Sequence, residues 1–183
     1  MRLSSGLLDS RAKLQREDRI DMTSLYNAGL GAVAGAAGTF ALDVTTYADI
    51  ALRGRSPSNM PAEMIRRLAE KAGIEPLVKP DDEADDATKN RRSALGALSG
   101  YAVGLTVGAV YGLLRPATSK MPLAVQIFVL TALVMSATDI PASALGATDP
   151  KKWGPSGWLA DIIPHLGYAA VATCVFRLCE PRT

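Results

Sequence analysis

The chain has 183 residues, 48% of them hydrophobic and 21% charged, and a formal charge of +2 that is too small to imply a nucleic-acid partner. Two cysteines and one histidine leave no disulfide scaffold and no Cys/His metal site of ordinary spacing. The apolar residues stand in blocks: Ser93 to Leu114 has no ionisable group except tyrosine hydroxyls, and such a run of about 22 residues crosses a bilayer core, which excludes a soluble or disordered chain.

The N-terminal tail, residues 1–23, mixes Arg2, Arg11, Lys13, Arg16 and Arg19 with Asp9, Glu17, Asp18 and Asp21. It reads as a short surface helix, or a disordered segment, ahead of a membrane domain over residues 24–183. Its apolar content stops at Leu7 and Leu8, so no cleavable signal peptide is expected and the first span carries targeting. Thr23 or Ser24 is placed to cap that span, because either hydroxyl accepts a bond from the free amides of a first turn. The span is expected over residues 24–52. It is apolar from Leu25 to Leu42, continues past Asp43 and Asp49, and stops at Arg53-Gly54-Arg55.

The connection that follows has two parts. Residues 61–72 put Met64, Ile65, Leu68 and Ala72 on one helix face and Glu63, Arg66, Arg67 and Glu70 opposite, with Gly73 closing the segment. Such an amphipathic helix between spans is expected in the interface plane; packing against a partner domain is the alternative. Residues 79–90 then carry Asp81, Asp82, Glu83, Asp85 and Asp86 and read as a solvated acidic linker.

The second span is expected over residues 93–114, stopped by Arg115-Pro116. The third runs over 122–138, opened by Pro122, whose missing amide costs nothing in a first turn, and broken at Asp139-Ile140-Pro141. The fourth runs over 157–179, with Ser156 as its cap and Trp153 and Trp158 at the headgroup level. The expected fold is all-α: a polytopic membrane bundle of four transmembrane helices with one interfacial amphipathic helix. Basic residues divide almost evenly between the two sides, so the positive-inside rule gives no orientation.

Glycines recur every fourth residue in the second span, at Gly96, Gly100, Gly104, Gly108 and Gly112. The stripe drifts about 40° per step, which suits a close, wrapping helix crossing. The first span has its own small face at Ala28, Gly31, Gly35 and Gly38. Packing of the first two spans on each other is the expectation; a homodimer or another subunit on the stripe is the alternative.

Charged residues inside spans face protein or water. In a four-span topology Asp43, Asp49, Asp139, Asp161 and His165 fall at one membrane level, flanked by Arg53, Arg55, Arg91 and Arg92. Asp161 and His165 are neighbours on one helix face, and Pro164 between them frees the Ala160 carbonyl. The group reads as an internal polar clamp, or as a proton-sensitive or headgroup-binding pocket. No nucleophile or metal set accompanies it, so no enzyme activity, cofactor or metal is expected.

The strings DVTTYADIALRGR (Asp43 to Arg55), SALGATDPKKW (Ser143 to Trp153) and DIIPHLGYAAV (Asp161 to Val171) resemble a group of small four-span integral membrane proteins of high-GC, actinobacterial-type bacteria with lipid-rich envelopes. The resemblance implies a multi-pass protein of the bacterial cytoplasmic membrane, and implies no activity, catalytic residue or cofactor. Close-packing faces without chemistry lead to the expectation of a non-enzymatic accessory subunit of a larger membrane complex, with a lipid importer of the MCE type as a host. The alternative is a small dimeric transporter or lipid-binding protein that uses the acidic cluster. Either role has membrane lipids and other subunits, or a second copy, as partners.

Overall fold

A computed structural model describes residues 3–180, with side chains from Met22 onward. Helix α1 runs unbroken from Leu3 to Arg53. It does not begin at Thr23 or Ser24, so tail and first span are one helix. No proline precedes Pro57, and Gly6 is the only glycine before Gly29, so nothing in the sequence stops the helix. The charged side chains expected on the tail's surface lie outside the described residues. α1 ends at Gly54, which takes a left-handed φ of 63° and bonds the Ile50 carbonyl at 2.8 Å.

Helix α2 (Met60–Ala72) has Pro61 in its first turn and closes on Gly73, again left-handed. Its buried residue is Ala69, whereas Leu68 is 45% exposed and Ala72 is exposed. The expected apolar face is thus divided: Met64 and Ile65 are half-buried, Leu68 and Ala72 outward, on a helix seated against α3 (Asp86–Leu113). Gly96 of α3 sets that seat: a Cβ there would stand 2.8 Å from the Pro61 carbonyl carbon, so the bare backbone takes the Pro61 end of α2. Glu63 accepts bonds from Arg66 at 2.7 and 2.6 Å and from Arg67 at 2.8 Å. Those guanidiniums hold its carboxyl below the ordinary glutamate range. Their support of α2 is therefore complete above that range and fades as pH falls through it.

Most of the acidic segment is exposed, and its last residues are helical. Asp85 caps α3 by accepting the Thr88 amide at 2.7 Å, which starts the second span seven residues before Ser93. Arg92, 2% exposed, donates to the Leu77 and Lys79 carbonyls and to Asp81 at 2.8 Å. One buried guanidinium thus gathers the chain between α2 and α3. Arg92→Met strands both carbonyls, and an unmet buried acceptor costs about 1–3 kcal/mol. A glutamate-specific protease is expected to cut after Glu83 about tenfold faster in the variant; equal rates would show that the segment holds without Arg92.

Beyond the single-turn helix α4 (Arg115–Thr118), α5 runs from Leu123 to Ala144 and α6 from Pro155 to Cys179. The third span therefore does not break at Pro141. That proline forfeits only its own bond to the carbonyl four residues back, and the true stop is Gly146, left-handed at φ 72°. Ser156 does not cap α6; Gly154 holds that position, and Ser156 Oγ accepts a bond from Arg53 at 2.9 Å. All regular structure among the described residues is helical, and α1, α3, α5 and α6 are each long and apolar enough to cross a membrane. The chain is a multi-pass membrane helical bundle.

α1 is the hub, packed on α3 and on α6, with α5 against α6. A Cβ on Gly31 would overlap the Gly108 carbonyl, one on Gly35 the Gly104 carbonyl, and one on Gly112 the Asn27 carbonyl. Backbone therefore meets backbone across the α1–α3 crossing, the close approach that small residues permit in lipid. On the other side of α1, Gly38 lies under the Tyr168 ring of α6. Below this level Val107, Tyr111, Leu130, Val134, Ala169, Ala172 and Phe176 fill the interior.

The end of the bundle where α3 stops is closed by polar contacts. Tyr111 Oη donates to Gln126 Oε1 at 2.8 Å, and Gln126 Nε2 donates to the Met121 carbonyl at 2.8 Å. Arg115 forms a two-pronged ion pair with Glu180 and lies over the Phe176 ring at 5.7 Å. The pairing holds the guanidinium above even its ordinary basicity.

Candidate functional site

At the opposite end the helices part. Past the glycine crossing, α1 and α3 diverge around a cavity of about 550 Å³, walled by α1, α2, α3, α5 and α6. Its walls are mostly apolar: Leu42, Ile50, Met60, Ala97, Val103 and Val134 among them. The floor is Tyr168, whose hydroxyl donates to the Gly104 carbonyl at 2.6 Å. A volume of that size falls in the range of small-molecule sites.

Five glycines of one stripe thus serve three purposes. Gly104, Gly108 and Gly112 seat α1, Gly96 seats α2, and Gly100 meets nothing within 4 Å and borders the cavity. Gly96 and Gly100 are not part of the span-to-span contact. Spacing alone puts five residues on one helix side; it does not say what stands opposite each of them.

Of the five residues expected at one level, Asp43, Asp161 and His165 line the cavity. Asp43 spans the α1–α3 gap by accepting the Tyr101 hydroxyl at 2.9 Å. Asp139 approaches Asp161 from α5. Asp49 is apart from them, accepting from Arg53 at 2.7 Å and Arg55 at 2.5 Å at the rim. Arg55 itself borders the cavity, so its charge is already countered there.

The Asp161–His165 contact differs from a simple clamp. His165 Nδ1 lies 2.8 Å from the Asp161 backbone carbonyl and 3.4 Å from its carboxylate. A carbonyl only accepts, so Nδ1 carries a proton and donates it there. Asp161 Oδ2 is shielded from solvent without a hydrogen-bond partner. Ala160, whose carbonyl loses its helical donor to Pro164, lines the same wall. Trp153, Thr148 and the buried Tyr168 also border the cavity, and sequence reading did not place them there. The signal for Trp153 was available in its position beside the polar strings. Tyr168 carried none, because a tyrosine three residues from a histidine on a span is ordinary core.

In comparisons with known proteins, no family, no curated relative and no solved structure matches the chain. Its function is therefore argued from the geometry of the cavity.

Proposed function

We propose that this chain is a binding protein of the bacterial cytoplasmic membrane that holds an amphipathic small molecule or lipid in a dead-end cavity opening towards one leaflet. The observation that carries this reading is the cavity itself, about 550 Å³ of apolar-walled space with carboxylates on two of its walls and a filled bundle beneath it. A conduction pathway needs continuity across the bundle. The packed layer from Tyr168 to Phe176 and the Arg115–Glu180 closure favour a receptacle over a channel.

Gly100→Leu tests it. A leucine at a position with no neighbour within 4 Å enters the cavity without displacing a helix. The variant is expected to fold with an unchanged unfolding temperature and to lose at least tenfold in co-purified lipid, measured by mass spectrometry after gentle extraction. Equal lipid recovery from both proteins would remove the cavity from the function.

An accessory-subunit role in a larger complex, such as an MCE-type lipid importer, is the second reading, and α1 is the observation that favours it. Residues 3–21 continue the first span as roughly 28 Å of helix beyond Met22, on the side away from the cavity. A projecting helix of that length is a handle for another subunit. Removal of residues 1–21 is expected to leave lipid recovery intact and to abolish co-migration with any heterologous complex.

A further inference from the structure

The cavity's inner wall has a lopsided hydrogen-bond inventory. Its hydroxyl protons are already committed: Thr39 donates to the Gly35 carbonyl at 2.9 Å, Tyr168 to the Gly104 carbonyl and Tyr101 to Asp43. The single proton of Thr138 serves the Met135 and Val134 carbonyls at 3.0 and 3.2 Å. His165 Nδ1–H is spent on the Asp161 carbonyl. What remains on this wall accepts: Asp161 Oδ2, which has no partner, beside the Ala160 carbonyl that loses its helical donor to Pro164. An unmet acceptor away from water is expensive. The Asp161 carboxylate thus wants a donor that it does not find in the chain.

Charge narrows the class of donor. Asp161 faces Asp139 across the α5–α6 interface, with Asp43 on α1 across the cavity. The arginine bordering the cavity, Arg55, is held at the rim by Asp49. Two carboxyls brought together in a low-dielectric site need a proton or a cation between or beside them. A neutral donor such as an alcohol meets the hydrogen-bond demand and leaves the charge; a quaternary ammonium meets the charge and leaves the acceptors.

We propose that the inner wall is a subsite for a protonated amine, carried by an amphipathic molecule whose apolar part fills the rest of the cavity, with Asp161 as the counter-ion. This rests on the cavity being a ligand site, and it adds what the ligand's polar end must be. The ammonium's N–H groups supply the donor that Asp161 Oδ2 lacks, and its charge answers the carboxylate. Asp43 and Tyr101 lie farther out, where the gap between α1 and α3 gives onto the bilayer.

The test compares three twelve-carbon probes on the full chain in nanodiscs of zwitterionic lipid at pH 7, each at equal mole fraction in the bilayer. Dodecylammonium carries charge and donors, dodecyltrimethylammonium carries charge alone, and dodecanol carries a donor alone. Fluorescence of Trp153, which borders the cavity, reads occupancy, with Trp158→Phe removing the second indole. Dodecylammonium is expected to bind at least tenfold more tightly than either of the others. Asp161→Asn, which adds a donor and removes the charge, is expected to erase that advantage while dodecanol binding persists. Equal binding of the two cations, or of dodecanol and dodecylammonium, to the unaltered protein overturns the amine subsite. In that outcome, Gly100→Leu still blocking all three probes upholds the cavity as a ligand site. No binding of any probe overturns both readings. A proton as the only occupant shows as pH-dependent fluorescence that no probe alters, and that also overturns the proposal. The comparison on the unaltered protein decides the matter even if Asp161→Asn fails to fold.

Discussion

Gly108→Ala is expected to force α1 and α3 apart and to lower the unfolding temperature by about 6–12 °C. The added methyl would overlap the Gly31 carbonyl oxygen and stand 2.7 Å from Gly35 Cα and 2.8 Å from its amide nitrogen. All three are backbone atoms of a helix, so none can swing aside as a side chain does. Overpacking of this kind costs about 3 kcal/mol at the upper end of its usual range, and each kcal/mol moves a chain of this size by about 2–4 °C. Gly100→Ala, two steps back along the stripe, is the control. Its methyl meets nothing, and alanine is the better helix former, so the unfolding temperature holds or rises. Similar losses at both positions, measured by thermal unfolding in detergent, would show that the stripe acts through helix propensity and not through contact.

Arg115→Leu is the second large effect. The guanidinium is 11% exposed at its side chain and the Glu180 carboxylate is 27% exposed. Removing one member of a buried pair costs about 3–5 kcal/mol; with a quarter of the Glu180 carboxylate in solvent, about 2 kcal/mol is expected, or 4–8 °C. The signature lies in the double variant. Arg115→Leu with Glu180→Leu removes the stranded charge and should regain more than half of the loss. A double variant as unstable as the single one would place the damage in packing against Phe176 instead of in the ion pair.

The four spans were legible because hydrocarbon thickness fixes how many apolar residues a span needs, and the blocks around Leu30, Val103, Leu130 and Ala169 each meet that length. The α1–α3 crossing was legible for a similar reason: only glycine at every fourth place lets two helix backbones meet. Termini were less so. Pro141 and Ser93 are sound local boundary signals, yet the helix passes one and starts well before the other, because Gly146 and the Asp85 cap are the stronger determinants. Arg92 looked like one of several flanking charges, and nothing in its neighbourhood marks it as the one that turns inward. Gln126, a lone amide within an apolar span, was a visible sign of a buried partner that the sequence reading left unused. Its partners Tyr111 and Arg115 belong to another helix and the turn after it. The cavity is the least legible element, since it is defined by where helices diverge and not by any residue's own properties.

The hub position of α1 has a consequence for how the protein is made. α1 leaves the ribosome before both of its partners, and its two faces are met by α3 and then by the Tyr168 region of α6. At ordinary synthesis rates, more than a hundred residues of chain separate those events by on the order of 10 s. Until α3 is made, Asp43 and the Gly31–Gly35 face are without their native partners, and Gly38 waits longer still, for Tyr168. The helix on which the whole bundle is centred is thus completed on one side well before the other.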